Sequence, residues 1–174
     1  HLLSQEGSPV TRAQAEQWTY EPGLPAEVRI PVSENLDNAK ALAEAWSAGE
    51  IELSGVPFEA WSPQAKIHFI NSIAPDLSFA KLAELDGGLG RSATSNAEIG
   101  RTWFIQVAKR RYTDAYEPLE AHLNRYGRGR LIAPVYRALA ANGEDQELAR
   151  EMFERARGAY HPLTIEWIAS GLKE

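Results

Sequence analysis

From Ser33 almost to its end, the chain is a succession of helix-length segments, each with its own start and stop signal, joined by links of a few residues. Ser33 or Asn35 is placed to cap a helix running to about Ala48, where Gly49 stops it, and Leu36, Ala39, Ala43 and Trp46 fall on one face. Ser62-Pro63 is a cap followed by proline at the first helical position. The helix behind it turns Ile67, Ile70 and Ile73 inward and ends at Pro75. Ser78 starts a shorter helix through Leu82 and Leu85, which the run Gly87-Gly88-Leu89-Gly90 is expected to break.

The second half repeats the pattern more clearly. Ser95-Asn96-Ala97-Glu98 reads as a capping box, with Ile99, Trp103 and Val107 following at spacings of four. Thr113 or Asp114 is expected to cap the next helix, which puts Leu119, Leu123 and Tyr126 on one side and ends at Gly127. Pro118 falls in or just past its first turn, where a missing N–H costs least. Residues 131–141 form the next helix, with Pro134 near its start and Asn142-Gly143 as its stop. Residues 144–160 carry Leu148, Met152 and Arg155 at helical spacing. His161-Pro162 then breaks the chain before a closing helix through Leu163, Ile165, Trp167 and Ile168.

The expected fold is therefore all-α, with about eight helices. Short links imply antiparallel neighbours, and the helix–turn–helix rhythm suggests a solenoid-like stack of helix pairs, although no strict sequence repeat is present. No strand pattern extends beyond fragments such as residues 50–53. Residues 1–32, punctuated by Pro9, Pro22, Gly23, Pro25 and Pro31, are expected to be a tail and linker with at most a short helix at 11–18. The helical domain is expected to span 33–174.

Composition narrows the function classes. The chain has no cysteine, which removes disulfides, thiolate catalysis and thiolate metal sites. No apolar run approaches the roughly 20 residues of a membrane span, and residues 1–30 lack the basic-then-apolar pattern of a secretory signal. The expectation is a soluble protein of the cytoplasm or periplasm with no membrane partner. The net charge is −6, yet residues 101–130 hold seven Lys and Arg against three acids. A local basic region in an acidic protein suits a small anion better than a nucleic acid.

Within that region, Tyr126-Gly127-Arg128-Gly129-Arg130 separates two helical segments. Arg128 and Arg130 face the same way if the loop is extended, and guanidinium forks bind carboxylates and phosphates bidentately. A helix start behind them adds its positive end. A solvated basic turn is the plainer alternative. Other motifs are absent. There is no HExxH, and no two of His1, His68, His122 and His161 lie within five residues, so no helical zinc pair exists. His68 reads as a packing residue, His122 as part of a solvated helix side beside Glu120, and His161 as a cap or turn residue. There is no GxSxG, P-loop or dinucleotide fingerprint. Trp46, Trp61, Trp103 and Trp167 read as packing anchors. Lys109-Arg110-Arg111 closes a helix, where cations complement the dipole.

Four blocks in register resemble the leukotriene-A hydrolase/aminopeptidase family. Trp18-Thr19-Tyr20-Glu21-Pro22-Gly23-Leu24-Pro25 resembles the segment that joins its catalytic and C-terminal domains. Asn96-Ala97-Glu98-Ile99-Gly100-Arg101-Thr102-Trp103 resembles a helix start of the form N-S-E-I-x-x-x-W, Tyr126–Arg130 an x-G-R-x-K junction, and Tyr160-His161-Pro162-Leu163-Thr164 an M-H-P-V-T closing turn.

The resemblance implies an α-α superhelical, armadillo- or HEAT-like C-terminal domain of a zinc aminopeptidase, some members of which also hydrolyse an epoxide. The zinc, its ligands and the general base would lie in an upstream catalytic domain of the same polypeptide, leaving this chain without catalytic or metal-binding residues of its own. It also implies that the domain walls the active-site cleft and that Arg128 and Arg130 bind the C-terminal carboxylate of a peptide substrate. The family pattern has lysine where this chain has Arg130. A helical-repeat scaffold for protein partners is the alternative from a different class, and a nucleic-acid binder using Lys109–Arg111 and Arg125–Arg130 is a third.

Overall fold

The computed structural model describes residues 10–25, 28 and 32–172, and the chain divides into two compact units, His1–Ser33 and Glu34–Glu174. Much of the expected tail, including His1, Pro9 and Pro31, lies outside the described residues. The first unit holds one helix, α1 (Arg12–Tyr20). Thr11 caps it in a reciprocal box: its hydroxyl accepts from the Gln14 N–H at 3.2 Å, and Gln14 Oε1 accepts from the Thr11 N–H at 2.8 Å.

In the second unit the described residues form α2 (Glu34–Ala48), α3 (Pro63–Ser72), α4 (Phe79–Leu89), α5 (Ala97–Arg110), α6 (Tyr116–Arg125), α7 (Gly129–Ala140), α8 (Gln146–Ala156) and α9 (Pro162–Gly171), with short 3-10 turns between some of them and no strand. α3 packs on α2 and α5, α5 on α7, and α7 on α9. α6 packs on α5 and α8, and α8 on α7. One layer therefore runs α3, α5, α7, α9, and α2, α6 and α8 flank it as the second, which is the arrangement of an α-α superhelix. Glu98 in the first turn of α5 pairs with Arg130 in the first turn of α7. The two helices thus start side by side, as alternate helices of stacked hairpins do.

Several boundaries differ from expectation for identifiable reasons. α4 does not break at Gly87 and continues to Leu89, where Gly90 leaves in the left-handed conformation at φ 56°. Gly88 has a packing reason to be glycine, because a Cβ there would lie 2.7 Å from Leu53 Cδ2. The α5 cap is Asn96 rather than Ser95. Asn96 Oδ1 accepts from the N–H groups of Glu98 and Ile99 at 3.0 and 3.2 Å, which leaves the Glu98 carboxylate free for other partners. Ahead of α6 a 3-10 turn at 113–115 replaces the expected side-chain cap. α7 starts two residues earlier than expected, so Pro134 lies inside it; lacking an N–H, it leaves the Arg130 carbonyl without its intrahelical donor.

The core is continuous through the second unit, with Trp46, Phe58, Phe69, Trp103, Phe104, Leu119, Leu123, Ile132 and Tyr136 among its largest members. Both buried indoles are satisfied: Trp46 Nε1 donates to Glu84 at 3.2 Å and Trp103 Nε1 to Ser92 Oγ at 3.1 Å. Asp86 in turn accepts from the Ser92 N–H and hydroxyl, both at 2.7 Å, which ties the α4–α5 loop to the core. Arg111 ends α5 at φ 52°. That left-handed conformation costs a non-glycine residue about 1–2 kcal/mol, and its side chain is held by Glu144 and by buried Asp145, which also accepts from the Tyr116 hydroxyl at 2.7 Å.

A buried relay pins the end of α6. Tyr160 Oη donates to the Leu123 carbonyl at 2.9 Å, so its 2.9 Å contact with Tyr136 Oη must be one in which Tyr136 donates. Burial raises the pKa of both phenols, which stay neutral. Tyr160→Phe strands both a buried donor and a carbonyl and is expected to cost about 1–3 kcal/mol, whereas Tyr136→Phe removes one bond and is expected to cost about 0.5–1.5 kcal/mol. Urea unfolding of the two variants checks that order.

Candidate functional site

The residues of interest lie where α6 hands over to α7. α6 ends because Tyr126 turns to extended backbone, its N–H donating back to the His122 carbonyl at 3.2 Å. Gly127 follows, and a Cβ there would come 3.3 Å from the Ala159 carbonyl oxygen. Gly129 opens α7 and is buried; a Cβ on it would lie 2.9 Å from Trp167 Cε3 and 3.2 Å from Thr164 Oγ1. Both glycines thus permit close approach of neighbouring segments and neither adopts positive φ. Gly129 in particular allows the start of α7 to sit against α9.

Arg128 is the N-cap of α7, exposed, with extended backbone at φ −82° and ψ 117°. Its side chain makes no cap, and among the described residues it has no ion pair or hydrogen bond. The Leu131 N–H bonds the Arg128 carbonyl at 2.8 Å, which leaves the first N–H groups of a twelve-residue helix without a side-chain acceptor. Arg130 is also exposed but already helical, so the extended geometry needed for side-by-side forks holds at Arg128 alone. Arg130 pairs with Glu98, which also meets Arg101 Nη2 at 3.3 Å. Glu98 thus lies in the first turn of α5 beside the first turn of α7, where both helix dipoles favour its charge.

The histidines and tryptophans divide differently from expectation. His122 does not sit on a solvated side; it is 6% exposed. Its ring lies 5.0 Å from that of Phe104 and 4.8 Å from that of Tyr126, and a Cβ on Gly100 would come 3.0 Å from its Nδ1. The signal was present in the sequence, since 119, 122, 123 and 126 are spaced as one apolar face of a helix. Burial lowers the His122 pKa to about 4, the nearby Leu131 main chain opposes the shift, and the charge of Arg125 adds to it. His161 does cap α9, its Nδ1 accepting from the Leu163 N–H at 3.2 Å. Trp167 is 47% exposed, with the Arg137 guanidinium 5.4 Å from its ring, so it packs on Gly129 yet remains half open.

Of the basic run at the end of α5, Arg110 is bound to Gln106 and, at 2.7 Å, to the Ala74 carbonyl, and Arg111 to Glu144 and Asp145. That leaves Lys109 as its exposed member. Among the described residues no group of three His, Asp or Glu side chains is arranged to hold a metal, and no helix is long and apolar enough to cross a membrane.

The fold defines the chain first as an α-α superhelical domain. Residues 61–172 match the family described as leukotriene A4 hydrolase, C-terminal, and the chain belongs to that family. It is 28% identical over 147 residues to leucine aminopeptidase 2 of Pyricularia oryzae, covering 83% of this chain and 24% of that protein. It is 25% identical over 162 residues to a leukotriene A-4 hydrolase homolog of Botryotinia fuckeliana, covering 91% of this chain and 25% of that one. The structure of native yeast LTA4 hydrolase superposes with a TM-score of 0.71 at 22% identity, over 91% of this chain and 29% of that one, a likeness of fold. The chain spans about a quarter of the length of these curated relatives.

The buried His122 carries a pH prediction. Its folded pKa lies below the ordinary histidine value of 6.5, so between pH 6.5 and about 4 the unfolded chain binds the extra proton. The contribution is complete above 6.5 and is lost as pH falls toward 4, amounting to roughly 3 kcal/mol. Chemical denaturation across that range in the protein and in His122→Gln should show a steeper loss in the former, and parallel profiles would remove the assignment.

Proposed function

We propose that this chain is the C-terminal helical domain of a zinc aminopeptidase, that it walls the active-site cleft, and that Arg128 and Arg130 bind the C-terminal carboxylate of the peptide substrate. The observation that carries this reading is the exposed Arg128, without an ion pair among the described residues, at the uncapped start of α7. A carboxylate approaching there meets a free guanidinium fork and unsatisfied backbone N–H groups at once. Arg130 takes part by exchanging Glu98 for the substrate, with Arg101 remaining as a partner for Glu98.

Zinc belongs to the catalytic part of the parent polypeptide, which is also the partner of this domain, and supplies the Lewis-acid chemistry there. This chain contributes position: anchoring the far end of a peptide fixes how deep its amino end reaches. The internal engagement of Arg110 and Arg111 counts against a polyanion surface and supports a small anionic ligand.

The test uses the intact parent enzyme and two substrate classes. Removing one charged hydrogen-bond donor is worth about 1.5–3 kcal/mol, or about a 10- to 150-fold drop in kcat/KM. Arg128→Ala and Arg130→Ala are expected to lose that much on short peptides with a free C-terminus and far less on amino-acid anilides, which have no carboxylate. Arg130→Lys retains part of the attraction. Equal losses on both classes would falsify the anchor. Glu98→Gln frees Arg130 and is expected to lower KM a few-fold for the peptides alone, with little change in stability, since exposed ion pairs contribute about 0–1 kcal/mol.

A further inference from the structure

Among the described residues of the second unit, three large apolar side chains are exposed: Phe79, Leu163 and Trp167. Phe79 meets the Tyr112 ring edge-on, with centroids 6.1 Å apart. The other two are four residues apart on α9, which puts them on one face of that helix. Leu163 is 69% exposed and Trp167 47%. Single exposed apolar residues are ordinary, but a tryptophan and a leucine left open together on one face mark a place where an apolar group is covered on binding.

The position of this pair ties it to the start of α7. The Trp167 indole rests against Gly129, the residue between Arg128 and Arg130, where a Cβ would lie 2.9 Å from Cε3 and 3.1 Å from Cζ3. The ring is held from further along α7 as well. The Arg137 guanidinium lies over it, 5.4 Å from the centroid. The stem of Arg137 passes Gly171, one turn beyond Trp167 on α9, where a Cβ would come 3.4 Å from Cγ. Arg130 and Arg137 are both exposed and two turns apart, so they share one face of α7. The indole therefore flanks α7 beside the face that carries Arg130, fixed in orientation and still half open.

We infer that Leu163 and Trp167 receive the side chain of the peptide's C-terminal residue, so that the parent enzyme favours short peptides ending in a large apolar residue. The inference rests on the carboxylate anchor proposed above. The side chain of a C-terminal residue is attached to the carbon that bears the carboxylate. A carboxylate held at Arg128 and Arg130 therefore leaves that side chain within reach of whatever adjoins Gly129, and here that is an indole. Covering the open indole removes apolar area from water on both partners. A glycine end has no side chain to bury there.

The experiment measures kcat/KM of the intact parent enzyme on Ala-Ala-Leu, Ala-Ala-Phe and Ala-Ala-Gly and on an alanine anilide. The peptides ending in leucine or phenylalanine are expected to exceed the glycine peptide about tenfold, the scale of one apolar side chain partly buried. Trp167→Ala is expected to bring that ratio down to about two or less, with far smaller losses on the glycine peptide and the anilide. Because Trp167 packs on the start of α7, Leu163→Gln serves as a second variant at a more exposed position and is expected to lower the ratio about threefold. A ratio near one in the unaltered enzyme, or a ratio that survives both variants, overturns the inference. Equal losses on all four substrates in Trp167→Ala, with the ratio kept in Leu163→Gln, overturn it as well and leave the indole a packing residue. Arg128→Ala separates the inference from the anchor. If its loss is confined to the peptides while Trp167→Ala leaves the ratio intact, the anchor stands and the inference falls; if the anilide shares its loss, the anchor falls and the inference with it.

Discussion

The packing of α5 against α7 is the contact on which the rest of the structure depends. Each of these helices buries residues on more than one side, α5 from Ile99 to Ala108 and α7 from Gly129 to Leu139. A helix apolar on most of its circumference has to be enclosed by others, and α3, α6, α8 and α9 are the elements that enclose this pair. Because α5 and α7 start together, their positive ends are neighbours, and Glu98 lies between them with Arg130 and Arg101. The electrostatics of the candidate site are thus a consequence of helix direction before they are a matter of particular side chains.

That arrangement separates the roles of two arginines that the sequence presents as a pair. Arg130 lies within the first turn of α7 and has a carboxylate of the protein's own within reach, whereas Arg128 precedes the helix and has none among the described residues. In the proposed anchor, a ligand would meet Arg128 without displacing an ion pair and Arg130 only by exchange with Glu98. Glycine at 129 is required on different grounds, since Trp167 and Thr164 of α9 occupy the space a side chain would need. The alternation of glycine and arginine is therefore a packing solution and a charge placement in one short segment.

The ends of α6 show how polar groups are managed inside an apolar stack. At one face Tyr160 links the Leu123 carbonyl to Tyr136, closing the donors and acceptors of three elements. One residue earlier in the chain, His122 enters the core with a nitrogen left open. Buried polar groups are normally paired, and here burial instead holds the imidazole neutral, its pKa lowered to about 4.

Much of the fold was legible from the sequence because helix ends are local. Ser62-Pro63, Ser78 and His161-Pro162 each start a helix where expected, and Gly49 stops one, since caps and stops act within a turn of themselves. The starts of α6, α7 and α8, which have no side-chain cap, were the ones misplaced. The family was legible too, because its blocks are short and lie in the same order. The charges of Arg128 and Arg130 could be read from composition, but their inequality could not. It depends on Glu98, thirty-two residues from Arg130, and on a helix that begins one residue after Arg128. The burial of His122 was written in the spacing of 119, 122, 123 and 126, but the persistence of α4 through Gly87 and Gly88 and the half-exposure of Trp167 were decided only by tertiary structure. In both the deciding neighbour, Leu53 or Gly129, is close in space and distant in the chain, and local pattern carries no record of such distances.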